Sequence, residues 1–141
     1  MKSLQKECNS SITVKSRQEL DGDTDEIEVI SEGNFYFQNG KYFIMYKEDE
    51  SMGKSFSLVK VDGKTVTIKR KGAYNSDFVC TENKKYSFVY HMPYGDMAME
   101  IDTKKVDVSL GENGGSVDLC YTLETGGNVK TNNVSITVRK K

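Results

Sequence analysis

The groups able to do chemistry in this chain are few: one histidine, three cysteines and a scatter of carboxylates among 141 residues. His91 stands between Tyr90 and Met92 in a run that alternates apolar and polar positions. A period of two therefore puts it on the wet face, where a general base has no site that excludes water. Cys8, Cys80 and Cys120 are far apart and form no C-x-x-C pair, and there is no second histidine, so neither a structural nor a catalytic metal site is expected. An odd number of widely spaced cysteines suits reduced thiols. Cys80 falls on an inward face, where a thiol without a neighbouring cation is an inert small hydrophobe. Glu48-Asp49-Glu50 reads as a solvated strand end. The chain has no G-x-S-x-G elbow and no phosphate-binding or dinucleotide-binding glycine pattern. The expectation is a non-enzyme with no cofactor and no bound metal.

Two charges resist that bland reading. Glu48 follows Tyr42, Ile44 and Tyr46 at even spacing, and Arg70 follows Val66 and Ile68 in the same way, so both fall on faces that should be dry. A lone ion inside a protein costs roughly several kcal/mol, so the two must meet each other, meet tyrosine hydroxyls or take the charge of a ligand. A guanidinium can grip a carboxylate or phosphate through two parallel hydrogen bonds. Tyr46, Glu48, Arg70, Tyr90 and Met92 are accordingly the residues expected to line a site for a small amphipathic or anionic molecule. The competing arrangement is an internal Glu48–Arg70 pair that plugs one end of a packed core.

The elements that would hold these residues are strands. Val, Ile, Thr, Tyr and Phe make up 44 residues, against 6 Leu and 2 Ala. About ten strands separate turn signals that recur every 8 to 14 positions, the pattern of a meander. The first spans about Asn9 to Gln18, and the second about Asp25 to Gln38, with Ile27, Val29, Phe35 and Phe37 on one dry face. Gly33 lies on that face and predicts a bend. Asn39-Gly40 and Asp62-Gly63 predict tight hairpins, and Gly126-Gly127 the last turn. A change of parity between Ile101 and Val106 requires a bulge near Thr103 to Lys105. Met92-Pro93-Tyr94-Gly95 reads as a turn, and Asp49 to Ser55 as the longest loop. Parity sends Phe35, Phe37, Tyr42, Tyr46, Phe56, Phe78, Tyr86, Phe88, Tyr90 and Tyr121 inward. It leaves Tyr36, Tyr74 and Tyr94 exposed, as possible contacts for a protein partner.

With one dry face per strand, an open sheet would leave two bare edges, so the expected fold is a single all-β domain over residues 1–141, closed as an antiparallel up-and-down barrel of about 8 to 10 strands. A β-sandwich is the alternative. Twenty basic residues balance 21 acidic ones for a net charge of -1, which disfavours nucleic acid and anionic membranes as partners. No secretory signal or apolar spanning run is present, so a cytoplasmic protein is expected. The acceptor patterns at Asn9-Ser10-Ser11 and Asn133-Val134-Ser135 are then chance matches.

In this frame the sequence resembles the bacterial YwiB-like family of uncharacterised proteins. The resemblance runs through Asp25-Glu26-Ile27-Glu28, Ser31-Glu32-Gly33, Gly40 to Tyr46 followed by Glu48, Arg70-x-Gly72, Tyr90-x-x-Pro93-Tyr94-Gly95, and Gly114-Gly115 with Leu119-x-Tyr121-x-Leu123. It implies a lipocalin-like (calycin) barrel and brings no activity with it. Met92 and Cys80 depart from the family pattern, which carries threonine and an aromatic there. Two functional readings follow: a non-catalytic barrel with an interior small-molecule site, or a structural or partner-binding barrel whose interior is only core.

Overall fold

The computed structural model describes residues 8–47, 55–73 and 75–141. Ten antiparallel strands make up these residues, with no helix among them: β1 (Ser10–Leu20), β2 (Asp23–Gln38), β3 (Lys41–Lys47), β4 (Phe56–Asp62), β5 (Thr65–Lys71), β6 (Ser76–Cys80), β7 (Lys85–Met92), β8 (Gly95–Gly111), β9 (Gly114–Thr125) and β10 (Asn128–Lys140). Each strand pairs with its neighbours in sequence and β1 pairs with β10, so the sheet runs β6-β5-β4-β3-β2-β1-β10-β9-β8-β7. The ends of this order, β6 and β7, meet at one bridge between Asn75 and His91, with N–H···O distances of 2.9 and 2.8 Å. The barrel is thus nearly closed, and its seam lies within a sequential hairpin and not between the chain ends.

Local chemistry explains the tight connections. Asn39 and Gly40 both have positive φ (53° and 79°), the geometry of the predicted type I′ turn. Asp21-Gly22 and Gly126-Gly127 do the same. At the next hairpin the turn sits one residue later than expected: Asp62 pairs with Thr65, and Gly63 and Lys64 form the loop. The register shift between Thr103 and Lys105 is the bulge that the change of parity required.

Gly33 is where β2 changes partners. Its N-terminal side pairs with β1, its C-terminal side pairs with β3, and Gly33 itself faces both Ser10 and Tyr46. A β-carbon there would collide with the Met45 carbonyl oxygen and with Cδ1 of Ile12. The requirement for glycine is therefore close backbone approach at a corner.

The core comprises Ile12, Phe35, Ile44, Tyr46, Val59, Val61, Val66, Cys80, Ile101, Val106, Val117, Leu119, Ile136 and Val138. Four inward expectations fail. Phe56 points outward at 43% exposure because β4 buries Ser57, Val59 and Val61, the residues that face Arg70, Ile68 and Val66 of β5. Ile27 (60%), Phe37 (60%) and Tyr86 (37%) keep the predicted parity but lie toward strand ends that no second layer covers. Tyr36 and Tyr94 are exposed as expected, whereas Tyr74 and all but the last residue of the Asp49 to Ser55 loop lie outside the described residues. No helix among the described residues is long and apolar enough to cross a membrane.

Candidate functional site

Strand register assembles the site. Hydrogen-bonded neighbours carry one transverse row of inward positions through Ser10, Gly33, Tyr46, Ser57, Arg70 and Ser76, from β1 to β6. Extending the Asn75–His91 bridge by one residue sets Ser76 opposite Tyr90, which itself pairs with Met97. This row is a polar belt inside the barrel. Ser10 and Ser57 are buried, and Tyr46 is only 8% exposed. Ser55 is buried as well, and among the described residues its Oγ has no hydrogen-bond partner. The adjacent inward row, Phe35, Ile44, Val59, Ile68 and Phe78, is wholly apolar.

Arg70 lies half-buried in the belt and donates from Nη1 to the Tyr90 hydroxyl at 3.0 Å. The bond spans the seam, tying β5 to β7 over the short β6. The parity argument for an inward Arg70 is thereby met. Tyr121, opposite Thr103 on β9, lies within electrostatic reach of Arg70, Cys80 and Tyr46. Its ring is half-buried, yet its hydroxyl is desolvated, and burial raises its pKa well above the ordinary phenol value. Cys80 and Tyr46, where ionised, push the same way, while the Arg70 cation opposes them. Burial likewise pushes the Cys80 thiol up to about 11, against the smaller opposing effect of the nearby Thr103 side chain, so Cys80 stays a neutral thiol.

Of the five residues expected to line a site, Tyr46, Arg70 and Tyr90 come together in the belt. Met92 is half-buried two residues beyond Tyr90, next to the turn, and Glu48 lies outside the described residues. Ser57, Ser76 and Tyr121 were missed as site residues. Their signal was available in strand register: once Arg70 is inward, Ser57 and Ser76 must flank it. His91 is exposed, as expected, and its Nδ1 lies 3.0 Å from Asp96. Among the described residues no group of three metal-ligating side chains converges. Two of the concavities among the described residues lie on the outer surface. One, of about 670 Å³, crosses β2, β1, β10, β9 and β8. The other, of about 310 Å³, lies over β3 to β5.

An up-and-down barrel of ten strands, corner-bent at a glycine and carrying an inward arginine in a belt of hydroxyls, defines the class as a β-barrel protein. Residues 12–137 match the family described as Domain of unknown function (DUF1934), and the chain belongs to that family. It is 27% identical over 123 residues to the uncharacterized beta-barrel protein YwiB of Bacillus subtilis (strain 168), covering 87% of each chain. The crystal structure of that species' ywiB protein superposes with a TM-score of 0.88, over 96% of this chain and 93% of the other.

Proposed function

We propose that this chain is a non-catalytic, calycin-like binding barrel of the cytoplasm whose polar belt takes the anionic head of a small, amphipathic molecule. The observation that carries this reading is the inward Arg70, held by Tyr90 at 3.0 Å within a row of serine and tyrosine hydroxyls. A guanidinium keeps its charge at any physiological pH and offers donors in a fixed fork suited to carboxylate or phosphate. The buried Ser55 hydroxyl, without a partner among the described residues, supplies another donor next to the belt. The apolar row beside it, from Phe35 to Phe78, would receive the ligand's hydrocarbon part. A few convergent polar groups on apolar walls are the usual make-up of a small-molecule site. Among the described residues the belt offers no nucleophile with an adjacent base, which supports the binding reading.

A second reading has its own support. Phe78 packs against Phe88 at 5.1 Å and Tyr121 at 6.1 Å between ring centroids, which fills the seam end of the interior and favours a packed barrel acting through its surface. Native mass spectrometry of protein purified from its own host separates the two. The binding barrel carries an adduct that is lost in Arg70→Met while the fold persists. A bare mass in the wild type, with no shift on adding phosphate or a medium-chain fatty acid, overturns it in favour of the packed barrel.

A further inference from the structure

We propose that two outer surfaces of this chain, the lysine-rich face of β3–β5 and the acidic first half of β2, are complementary halves of an interface with a second copy of the chain. The proposal is independent of the interior belt. Its first half is the outward face of β3, β4 and β5, which presents Lys41, Lys47, Lys60, Lys69 and Lys71 with Asp62 as the one acid on these strands, while Asp77 of the adjoining β6 lies 3.9 Å from Lys69. These lysines surround half-buried apolar surface: Phe43 stacks on Tyr36 at 5.1 Å, and Phe43 and Leu58 line the 310 Å³ concavity together with Lys41, Lys60 and Lys69.

The second half is the stretch of β2 before Gly33. Asp21, Asp23, Asp25, Glu26 and Glu28 are all exposed, with no Lys or Arg from residue 21 to 32, and on the neighbouring β1 only Arg17, opposite Glu26, and Lys15, 3.6 Å from Glu28, offset these five acids. Over Asp23–Glu32 this strand pairs with β1 alone, so among the described residues its other edge has no ladder partner. Ile30 on its outer side is 69% exposed, and Ile27 on its inner side is 60% exposed. Branched apolar side chains left bare on both faces of this stretch mark a surface that something covers. Edge-to-edge pairing of two such strands would set acid against acid, which the edge carboxylates oppose. A lysine face with an apolar floor fits instead, with Ile30 entering the Phe43–Leu58 concavity and Glu26 and Glu28 meeting Lys41 and Lys60.

Charge complementarity selects the occupant. The lysine face carries a net of four positive charges within a chain of net -1, leaving -5 on the rest. A long polyanion or an anionic membrane reaching beyond about 8 to 10 Å would meet that acidic remainder, whereas a compact acidic segment senses only the lysines. The same chain supplies such a segment. A two-fold pairing makes the contact twice, face to strand and strand to face, and closes as a dimer, the commonest symmetric assembly.

The test is sedimentation equilibrium of the full chain at about 10 mM and about 1 M salt, where the screening lengths are about 30 and 3 Å. The wild type is expected to dimerise at low salt and to dissociate at high salt. Lys41→Glu/Lys60→Glu and Glu26→Lys/Glu28→Lys should each raise the dimer Kd more than about tenfold, because each sets like charges together. The four-fold variant, and an equimolar mixture of the two double variants, should recover the dimer. Unchanged melting temperatures confirm that the variants fold, and the salt response of the wild type decides the matter by itself if they do not. A monomeric wild type at low salt overturns the proposal. So does a dimer indifferent to salt and to both double variants, or a failure of the four-fold variant to recover. A monomer that binds anionic vesicles or a thymidine oligonucleotide through Lys41 and Lys60 likewise overturns it and identifies a different occupant.

Discussion

Asn75 and His91 exchange both backbone hydrogen bonds, at 2.9 and 2.8 Å, and theirs is the one ladder rung between β6 and β7 among the described residues. Continuing that register would pair Asp77 with Val89 and Val79 with Ser87, and no rung forms there. Instead the Glu82-Asn83-Lys84 turn docks on β8, Asn83 donating to the Thr103 carbonyl at 2.8 Å and Thr103 to the Lys84 carbonyl at 3.1 Å. Side chains cover the gap, with Phe78 against Phe88 inside and the Arg70–Tyr90 hydrogen bond above. The seam is expected to be the first part of the barrel to open. Native-state hydrogen exchange should show the amides of Asp77, Val79, Ser87 and Val89 exchanging well before those of Val117, Leu119 and Ile136 in β9 and β10. Uniform protection across both groups would mean that the seam is as stable as the ladders.

Arg70 and Tyr90 form a coupled pair. A hydrogen bond from a charged donor contributes about 1.5 to 3 kcal/mol, so Tyr90→Phe is expected to destabilise by that amount. A double-mutant cycle with Arg70→Met should give a coupling of about 0.5 to 3 kcal/mol in urea denaturation. Additive losses would show that Tyr90 serves packing alone.

Gly33 permits no side chain. The Met45 carbonyl and the Ile12 methyl occupy the place of a β-carbon, and a backbone oxygen cannot move aside as a flexible side chain can. Gly33→Val should cost about 1 to 3 kcal/mol or more, and Gly33→Ala should already be harmful. A loss below about 0.5 kcal/mol in urea unfolding would contradict the corner geometry.

The bend at Gly33, the bulge at Thr103 to Lys105 and the inward turn of Arg70 were legible in the sequence because each follows from a period of two. Strand β4 shows where that signal fails. Its two faces read Phe-Leu-Lys and Ser-Val-Val, and bulk favours the first, yet the second is buried. The deciding information sits in the partner: a two-residue loop at Gly63-Lys64 forces Val61 against Val66 and Val59 against Ile68. Ile27 was misplaced for a different reason. Alternation reports which side of a strand faces inward, but not whether another layer lies there, and the first half of β2 has none.

Two groups in the interior titrate late, and their effect has one sign. Burial raises the Cys80 pKa from 9.0 to about 11, and it raises Tyr121 above its ordinary value too. Both groups are acids whose neutral form the fold favours. The stability they confer is fully present below their unfolded pKa values and is lost as pH climbs through the folded ones. Melting temperature should therefore fall from about pH 9 upward, and Cys80→Val should flatten the fall between about 9 and 11. The thiol of Cys80 should also react with a disulfide reagent far more slowly than that of Cys120. A melting temperature constant from pH 8 to about 11 would show that these groups ionise without cost.

Asn9 closes the barrel where β1 begins. Its side-chain amide does for Phe35 what a neighbouring strand would do: Nδ2 donates to the Phe35 carbonyl at 3.0 Å, and Oδ1 accepts the Phe35 N–H at 2.9 Å. Oδ1 also accepts from the Ser10 hydroxyl at 2.7 Å, while the Asn34 side chain accepts from the Asn9 backbone N–H at 3.3 Å. Phe35 is 2% exposed, so its amide has little access to water. Asn9→Ala strands both of its backbone groups and is expected to cost about 1 to 3 kcal/mol for each group left unsatisfied. Asn9→Asp keeps the acceptor and loses the donor, so its cost should fall between those of wild type and Asn9→Ala at neutral pH. Urea denaturation of the two variants checks the order, and an Asn9→Ala protein as stable as the wild type would mean that water replaces the amide at Phe35.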